Sequence, residues 1–149
     1  MRPSALPLLV AALFLSGCQT VYVPPAIVRT GDPLVDGRAH LAVAAPKDRV
    51  LWQYRVGATA LRRGDMDEAR RQLDEALARS SGILADAGSA DAARSRRMFR
   101  NESDKPFVGE PYERVMAGFY RGLVYWRDGE PDNARALFRS GQFIDSDTE

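Results

Sequence analysis

The feature that most constrains the fold is a helical apolar pattern that stops at one glycine and restarts just after it. Upstream of Gly64, apolar side chains recur every three or four residues and so share one helix face: Leu51, Tyr54, Ala58 and Leu61. Gly64 suits a helix C-terminus, and Asp65 followed by Glu68 suits the next N-terminus as a capping box. The second helix points Ala69, Leu73, Ala76 and Leu77 inward. The sequence therefore predicts a helical hairpin.

The same pattern returns near the end of the chain. Pro111 suits the first position of a helix, because its missing amide hydrogen would have no partner there. The residues of that helix predicted to form an apolar stripe facing the protein core are Tyr112, Val115, Phe119, Leu123 and Trp126. Residues 128–131 break the helix, and the next one turns Ala134, Leu137, Phe138 and Gly141 inward. Aligning the two patterns matches Gly57 with Gly122, and Leu73 with Phe138. A second hairpin of the same design is predicted.

The two hairpins resemble the tetratricopeptide repeat, a helix–turn–helix unit with small residues at its eighth, twentieth and twenty-seventh positions. Those positions hold Gly57, Ala69 and Ala76 in the first copy, and Gly122, Ala134 and Gly141 in the second. The fourth position, often Trp, departs from the pattern with Gln53 and Gly118, and the usual proline after the second helix is missing. The resemblance implies an all-α domain over residues 48–145, built as a short solenoid of helical hairpins. Residues 80–110 then form either a degenerate third repeat or an insertion.

A second resemblance lies at the entry to the later hairpin. The stretch 105–114, which contains Pro-Phe-Val-Gly-Glu-Pro-Tyr-Glu, together with residues 119–123, is similar to a family of poorly characterised bacterial repeat lipoproteins. This resemblance implies architecture more than activity. Members of that family continue further, so residues 146–149 are interpreted as the tail of a short or truncated version.

The N-terminus resembles a bacterial lipoprotein signal peptide. Arg2 is followed by an apolar run over residues 5–15, and Leu15-Ser16-Gly17-Cys18 matches the lipobox pattern. An apolar core of this length is typical of a signal peptide and too short to span a bilayer. The resemblance implies removal of residues 1–17, and diacylglycerol and an amide-linked acyl chain such as palmitate on Cys18. An ordinary signal peptide with an incidental cysteine is the alternative.

The expected location follows from that anchor. Gln19 after the lipidated cysteine favours the outer membrane under enterobacterial sorting rules, with the protein facing the periplasm. Closely spaced proline and glycine signals in residues 18–47 predict a disordered, Pro-rich tether between the lipid and the helical domain. His40 lies in this segment without a second ligand type nearby, so a structural or exposed role is favoured over a metal site.

Charge and residue counts argue against several functions. The chain has 21 basic and 20 acidic residues, a balance unlike that of proteins that neutralise many nucleic-acid phosphates. Cys18 is the single cysteine and is consumed by lipid, and one histidine cannot build a histidine-based metal cluster. Glu110 and Glu113 are interpreted as helix-start carboxylates. We therefore predict no enzymatic activity, no metal and no cofactor.

The remaining expectation is a binding function. Most of the aromatic cluster is predicted to be core: Phe107, Tyr112, Phe119, Tyr120, Tyr125 and Trp126. The predicted partner-binding residues, on a concave face, are Arg55, Arg62, Tyr120 and Arg127. The leading hypothesis is an adaptor or assembly factor with a protein partner. The alternative is a structural or ligand-binding envelope component that holds peptidoglycan or a small molecule. Because such repeats usually need three units for stability, self-association is also expected unless residues 80–110 supply a third.

Overall fold

A computed structural model describes residue 23 and residues 25–88 and 105–146, without the side chains of 84–88 and 145–146. The predicted signal peptide, Cys18 and the last three residues lie outside this part. The described secondary structure is entirely helical, which confirms the all-α prediction. Its elements are α1 (Pro33–Val43), a 3₁₀ turn (Pro46–Asp48), α2 (Arg49–Arg63), α3 (Met66–Gly88), α4 (Pro111–Arg127) and α5 (Pro131–Ser146). None of these helices has the length and apolarity needed to cross a membrane.

Both predicted hairpins are present, and their turns match. Gly64 and Gly129 each have a φ of 79°, a left-handed conformation that favours glycine. The amide after each glycine closes its turn in the same way: Asp65 N–H donates to the Ala60 carbonyl at 3.0 Å, and Glu130 N–H to the Tyr125 carbonyl at 2.9 Å. Only half of the predicted capping box forms at Asp65, whose carboxylate accepts from Glu68 N–H at 3.2 Å.

The predicted alignment of small and large residues is confirmed by the packing within each hairpin. A Cβ placed on Gly57 would lie 2.9 Å from Leu73 Cγ, and one on Gly122 would overlap the ring of Phe138. Each glycine thus allows its helix to approach a large side chain, and the two pairs are 65 residues apart (122 − 57). These contacts match position for position, while the tetratricopeptide resemblance itself stays a prediction.

The structure corrects the predicted tether. Residues 33–43 form α1, which packs on α2 and buries Leu34 and Leu41 at 6% and 9% exposure. Asp32 begins this helix by accepting hydrogen bonds from Leu34 N–H at 2.8 Å and Val35 N–H at 3.1 Å. Gly31-Asp32-Pro33, which belongs to the proline and glycine signals of the predicted tether, is therefore a helix start, with Pro33 in the first turn. The folded domain begins well before residue 48.

The predicted core face of α4 is also wrong. Tyr112 and Trp126 are 67% and 66% exposed, and Phe119 and Leu123 are 43% and 41% exposed. The buried side of α4 consists mainly of small residues, together with Arg121: Ala117, Gly118, Gly122 and Val124. In α2, too, the buried side differs from the predicted one. The predicted face is half-buried, and the fully buried residues are Val50, Gln53, Val56, Gly57 and Ala60. Small residues permit close helix approach, so they occupy the contact and displace the large ones outward.

The two hairpins pack directly against each other through α3 and α4. The Arg121 guanidinium donates to both carboxylate oxygens of Asp74, at 2.6 and 3.0 Å. Arg70, one helical turn before Asp74 on α3, pairs with Asp128, which follows α4. Of the segment predicted to be a third repeat or an insertion, residues 80–88 belong to α3, and residues 89–104 lie outside the described part of the chain, so the choice between the two stays a prediction.

A candidate binding groove between α1, α2 and α4

A groove of about 540 Å³ lies where α1 and α4 flank α2. Its walls combine aromatic, apolar and charged side chains, and Leu73 and Ala117 form part of its floor. The side chains that define its chemistry are His40 on α1, Trp52, Arg55 and Arg62 on α2, and Tyr112 and Tyr120 on α4. The mixture of apolar surface with a few polar groups is typical of binding sites.

The α1 wall is held in place by charged contacts. The Asp32 carboxylate pairs with Arg63 Nη1 at 2.7 Å, which links the start of α1 to the end of α2. Chiefly because of that hydrogen bond, and also because of the Val35 and Leu34 amides, the pKa of Asp32 is lowered to about 2. Arg38 reaches Asp65 at 2.9 Å and Glu68 at 3.4 Å, so α1 is also linked to the start of α3.

Trp52 organises the middle of the groove. Its ring stacks on the His40 imidazole, with centroids 4.1 Å apart and planes 3° from parallel. The Arg55 guanidinium carbon lies 5.0 Å from the Trp52 ring centroid, a cation–π distance. His40 therefore acts here as a packing partner of Trp52, which agrees with the structural role expected for it.

The groove has basic groups that the fold leaves available. Among the described residues, Arg29, Arg55 and Arg62 have no ion-pair partner, and Arg62 donates only to Thr59 Oγ1, at 3.1 Å. The two carboxylates of the groove are already used by the backbone. Asp36 accepts from Thr30 N–H at 2.8 Å and Glu113 from Glu110 N–H at 2.9 Å. Because three arginines stand against two carboxylates, the groove has a net positive charge and is suited to a negatively charged ligand.

Two groove residues, Asp36 and Tyr54, have shifted pKa values, and both shifts favour the charge state that the residue ordinarily has at neutral pH. Hydrogen bonds from the Thr30 backbone and hydroxyl lower the pKa of Asp36, which keeps this carboxylate charged. Burial raises the pKa of Tyr54, whose hydroxyl lies 3.4 Å from Ser80 Oγ, so the phenol stays neutral. Glu113 has the helix-start role expected for it. These groups can orient and bind a ligand.

Three of the four predicted partner-binding residues meet in this groove: Arg55, Arg62 and Tyr120. Arg127 does not line the groove. It is the last residue of α4, and its side chain lies 3.7 Å from Asp128, outside the groove. Sequence reasoning missed His40 as a site residue because it did not place a helix at residues 33–43, and it missed Trp52 because the stacking partner of that ring lies on the same helix. The Asp-Pro pair at 32–33 was the signal that could have located that helix.

The described part of the chain contains no cluster of three His, Cys, Asp or Glu side chains able to hold a metal ion. Comparison of the chain with protein-family models, with curated proteins and with solved structures gave no match.

Proposed function

We propose that this chain is a lipid-anchored protein of the bacterial cell envelope that binds a partner protein, as an adaptor or assembly factor. The groove between α1, α2 and α4 is the observation that carries the proposal. Its arginines stand beside Trp52 and Tyr120, and arginine and aromatic side chains are the usual anchors of protein interfaces. The matching contacts of the two hairpins support a short tetratricopeptide-like arrangement, whose concave side is this groove.

The partner segment is expected to be extended and acidic. Arg55 and Arg62 are seven residues apart on α2, so they are separated by about 10 Å along the helix axis. In a polyproline II peptide, which is extended and has three residues per turn, two carboxylates three residues apart lie on the same side and are separated by about 9 Å. Apolar side chains between them would meet the face formed by Trp52 and Tyr120. This match in spacing favours a peptide over an isolated anion.

Crosslinking in cells followed by affinity purification of the full chain tests the proposal. The variant Arg55→Glu with Arg62→Glu reverses the charge of the groove and is expected to lose a protein that the wild type captures. The matched control is Arg79→Glu with Arg139→Glu, two exposed arginines outside the groove, and it should capture that protein normally. Equal capture by both double variants, or no specific protein captured by the wild type, would contradict the proposal.

The anchor has a separate test. Radiolabelled palmitate is expected to enter the wild-type chain and to be absent from Cys18→Ser, and the labelled protein should sediment with outer membranes. Labelling that persists in Cys18→Ser would contradict lipid attachment at that residue. This result is independent of what the groove binds.

The alternative is a structural or ligand-binding component that holds peptidoglycan or a small molecule. The volume of the groove, about 540 Å³, lies within the range of small-molecule sites, which is the observation in favour of this alternative. Pull-down on purified cell-wall sacculi discriminates the two. Retention of the wild type on sacculi, with loss in Arg55→Glu/Arg62→Glu, would support the alternative.

A further inference from the structure

A second surface, distinct from the groove in most of its residues, runs along α4. Five large apolar side chains stand exposed there, with spacings that alternate between four and three residues: Tyr112, Met116, Phe119, Leu123 and Trp126. We call this surface the α4 stripe. An alternating spacing of four and three is the pattern by which one helix packs lengthwise against another. Continuous apolar exposure of this kind marks an interaction site.

The first hairpin shows what covers such a face. The residues of α2 that match Met116, Phe119 and Leu123 in the alignment are Leu51, Tyr54 and Ala58. These three face the groove and are half-buried, with α4 packed alongside α2. The equivalent face of the first hairpin is therefore bordered by a helix. The α4 stripe is shaped for the same kind of neighbour.

We propose that the α4 stripe binds the α4 stripe of a second copy of this chain, with the two helices antiparallel. The charges beside the stripe carry this choice. Glu113, Tyr120 and Arg127 follow one edge at intervals of seven residues, with opposite charges at the two ends. A twofold axis at Tyr120 brings Glu113 of each copy opposite Arg127 of the other. In a parallel pair, Glu113 would lie beside Glu113 of the second copy and Arg127 beside Arg127, so both attractive contacts would be lost.

The apolar residues fit the same register. In an antiparallel pair centred in this way, Met116 packs against Trp126 of the second copy, and Phe119 packs against Leu123 of the second copy. The twofold symmetry repeats both contacts, which gives four apolar layers, and the interface is self-complementary. Arg127 is available for the new contact because its side chain is 58% exposed and its carboxylate neighbour lies at 3.7 Å.

The proposed dimer does not depend on the function proposed for the groove. Tyr112 and Met116 belong to both surfaces, and the groove residue Tyr120 lies beside the stripe, so the dimer covers one edge of the groove. The opposite wall, with Arg55 and Arg62, stays open in each copy. Failure of partner capture and failure of dimerisation are therefore separate results.

Charge-reversal variants of the full chain in mild detergent test the dimer, with mass measured by analytical ultracentrifugation. The wild type should be a dimer at micromolar concentration. Arg127→Glu alone and Glu113→Arg alone should each weaken self-association by at least about tenfold, because each homodimer then contains two like-charge contacts. When the two variants are mixed in equal amounts, both pairs are restored between unlike chains, so a heterodimer should form.

The control is Arg79→Glu, an exposed charge reversal on α3, which should dimerise like the wild type. Circular dichroism of the single variants should show wild-type helix content, which separates loss of association from loss of folding. A monomeric wild type would overturn the proposal. So would single variants that dimerise as well as the wild type, or folded single variants that stay monomeric when mixed.

Discussion

The two hairpins share their turns and their internal contacts but differ in what surrounds their first helix. Helix α2 lies between α1 and α4, and its buried position at Val56 is apolar. Helix α4 holds the buried, charged Arg121 at the matching position and leaves its apolar stripe exposed. The local pattern of glycines and large residues thus determines how each hairpin closes. The neighbours along the stack determine which side of the helix is buried.

The largest expected difference between the hairpins lies at the matched pair Leu73 and Phe138. Leu73 is 1% exposed, whereas Phe138 is only half-buried. Leu73→Ala should lower the free energy of unfolding by about 3 kcal/mol, and Phe138→Ala by about 1.5 kcal/mol, because a half-open site loses less burial and leaves a smaller cavity. Urea denaturation followed by circular dichroism measures both. Equal losses would mean that the second hairpin is as well covered as the first.

A middle-sized effect is expected where the hairpins meet, at the Arg121–Asp74 pair. The Arg121 side chain is 5% exposed, and its guanidinium lies 3.5 Å from the Tyr125 ring centroid. Asp74→Ala removes the carboxylate from a buried charge and should cost about 2 kcal/mol.

Two further variants check the interpretation of that loss. Asp67→Ala removes a carboxylate that is 85% exposed and 3.7 Å from Arg70, and it should cost at most about 0.5 kcal/mol. Adding Arg121→Met to Asp74→Ala should recover part of the lost stability, because no buried charge then remains unpaired. A loss in Asp74→Ala no larger than that in Asp67→Ala would contradict the role of this pair.

The smallest expected effect is on the stability of α1 in acid. This helix packs on the first hairpin and is one of the neighbours that make its surroundings differ from those of the second. The pKa of Asp32 falls from 3.8 to about 2 on folding, so its contribution is complete above pH 3.8 and is lost as the pH falls toward 2. Hydrogen exchange of α1 amides, corrected for intrinsic rates, should therefore increase over this interval relative to α4.

The control uses a matched carboxylate in the second hairpin. Asp32→Asn should raise α1 exchange at neutral pH and flatten its acid dependence. Asp132→Asn, in the first turn of α5 with an 89% exposed side chain, should leave α1 unchanged. Acid dependence of α1 that survives in Asp32→Asn would assign it to other groups, with Asp36 the next candidate.

The features that sequence predicts well here are local ones. A glycine before an acidic residue predicts both turns, since the left-handed conformation depends on the residue itself. Alignment of the two copies also predicts the close approach of Gly57 to Leu73 and of Gly122 to Phe138, because both partners lie in one hairpin.

The features that sequence missed depend on distant neighbours. Tyr112 and Trp126 have the spacing of core residues, and the spacing alone does not tell which side of a helix its neighbours occupy. Helix α1 was missed because Asp32 and Pro33 serve equally well as a turn and as a helix start. The candidate site was therefore only half predicted. Arg55 and Arg62 share one helix face, but the wall opposite them belongs to α1.

The positions of the two tryptophans give the molecule built-in optical reporters. Trp52 stacks on His40 in the groove, and Trp126 is two-thirds exposed on the α4 stripe. A ligand that enters the groove changes the emission of the first, and pairing of two copies shifts the emission of the second to shorter wavelength. Replacing either one with phenylalanine leaves a single fluorophore, so occupancy of the groove and pairing of the stripes are each followed without an added label.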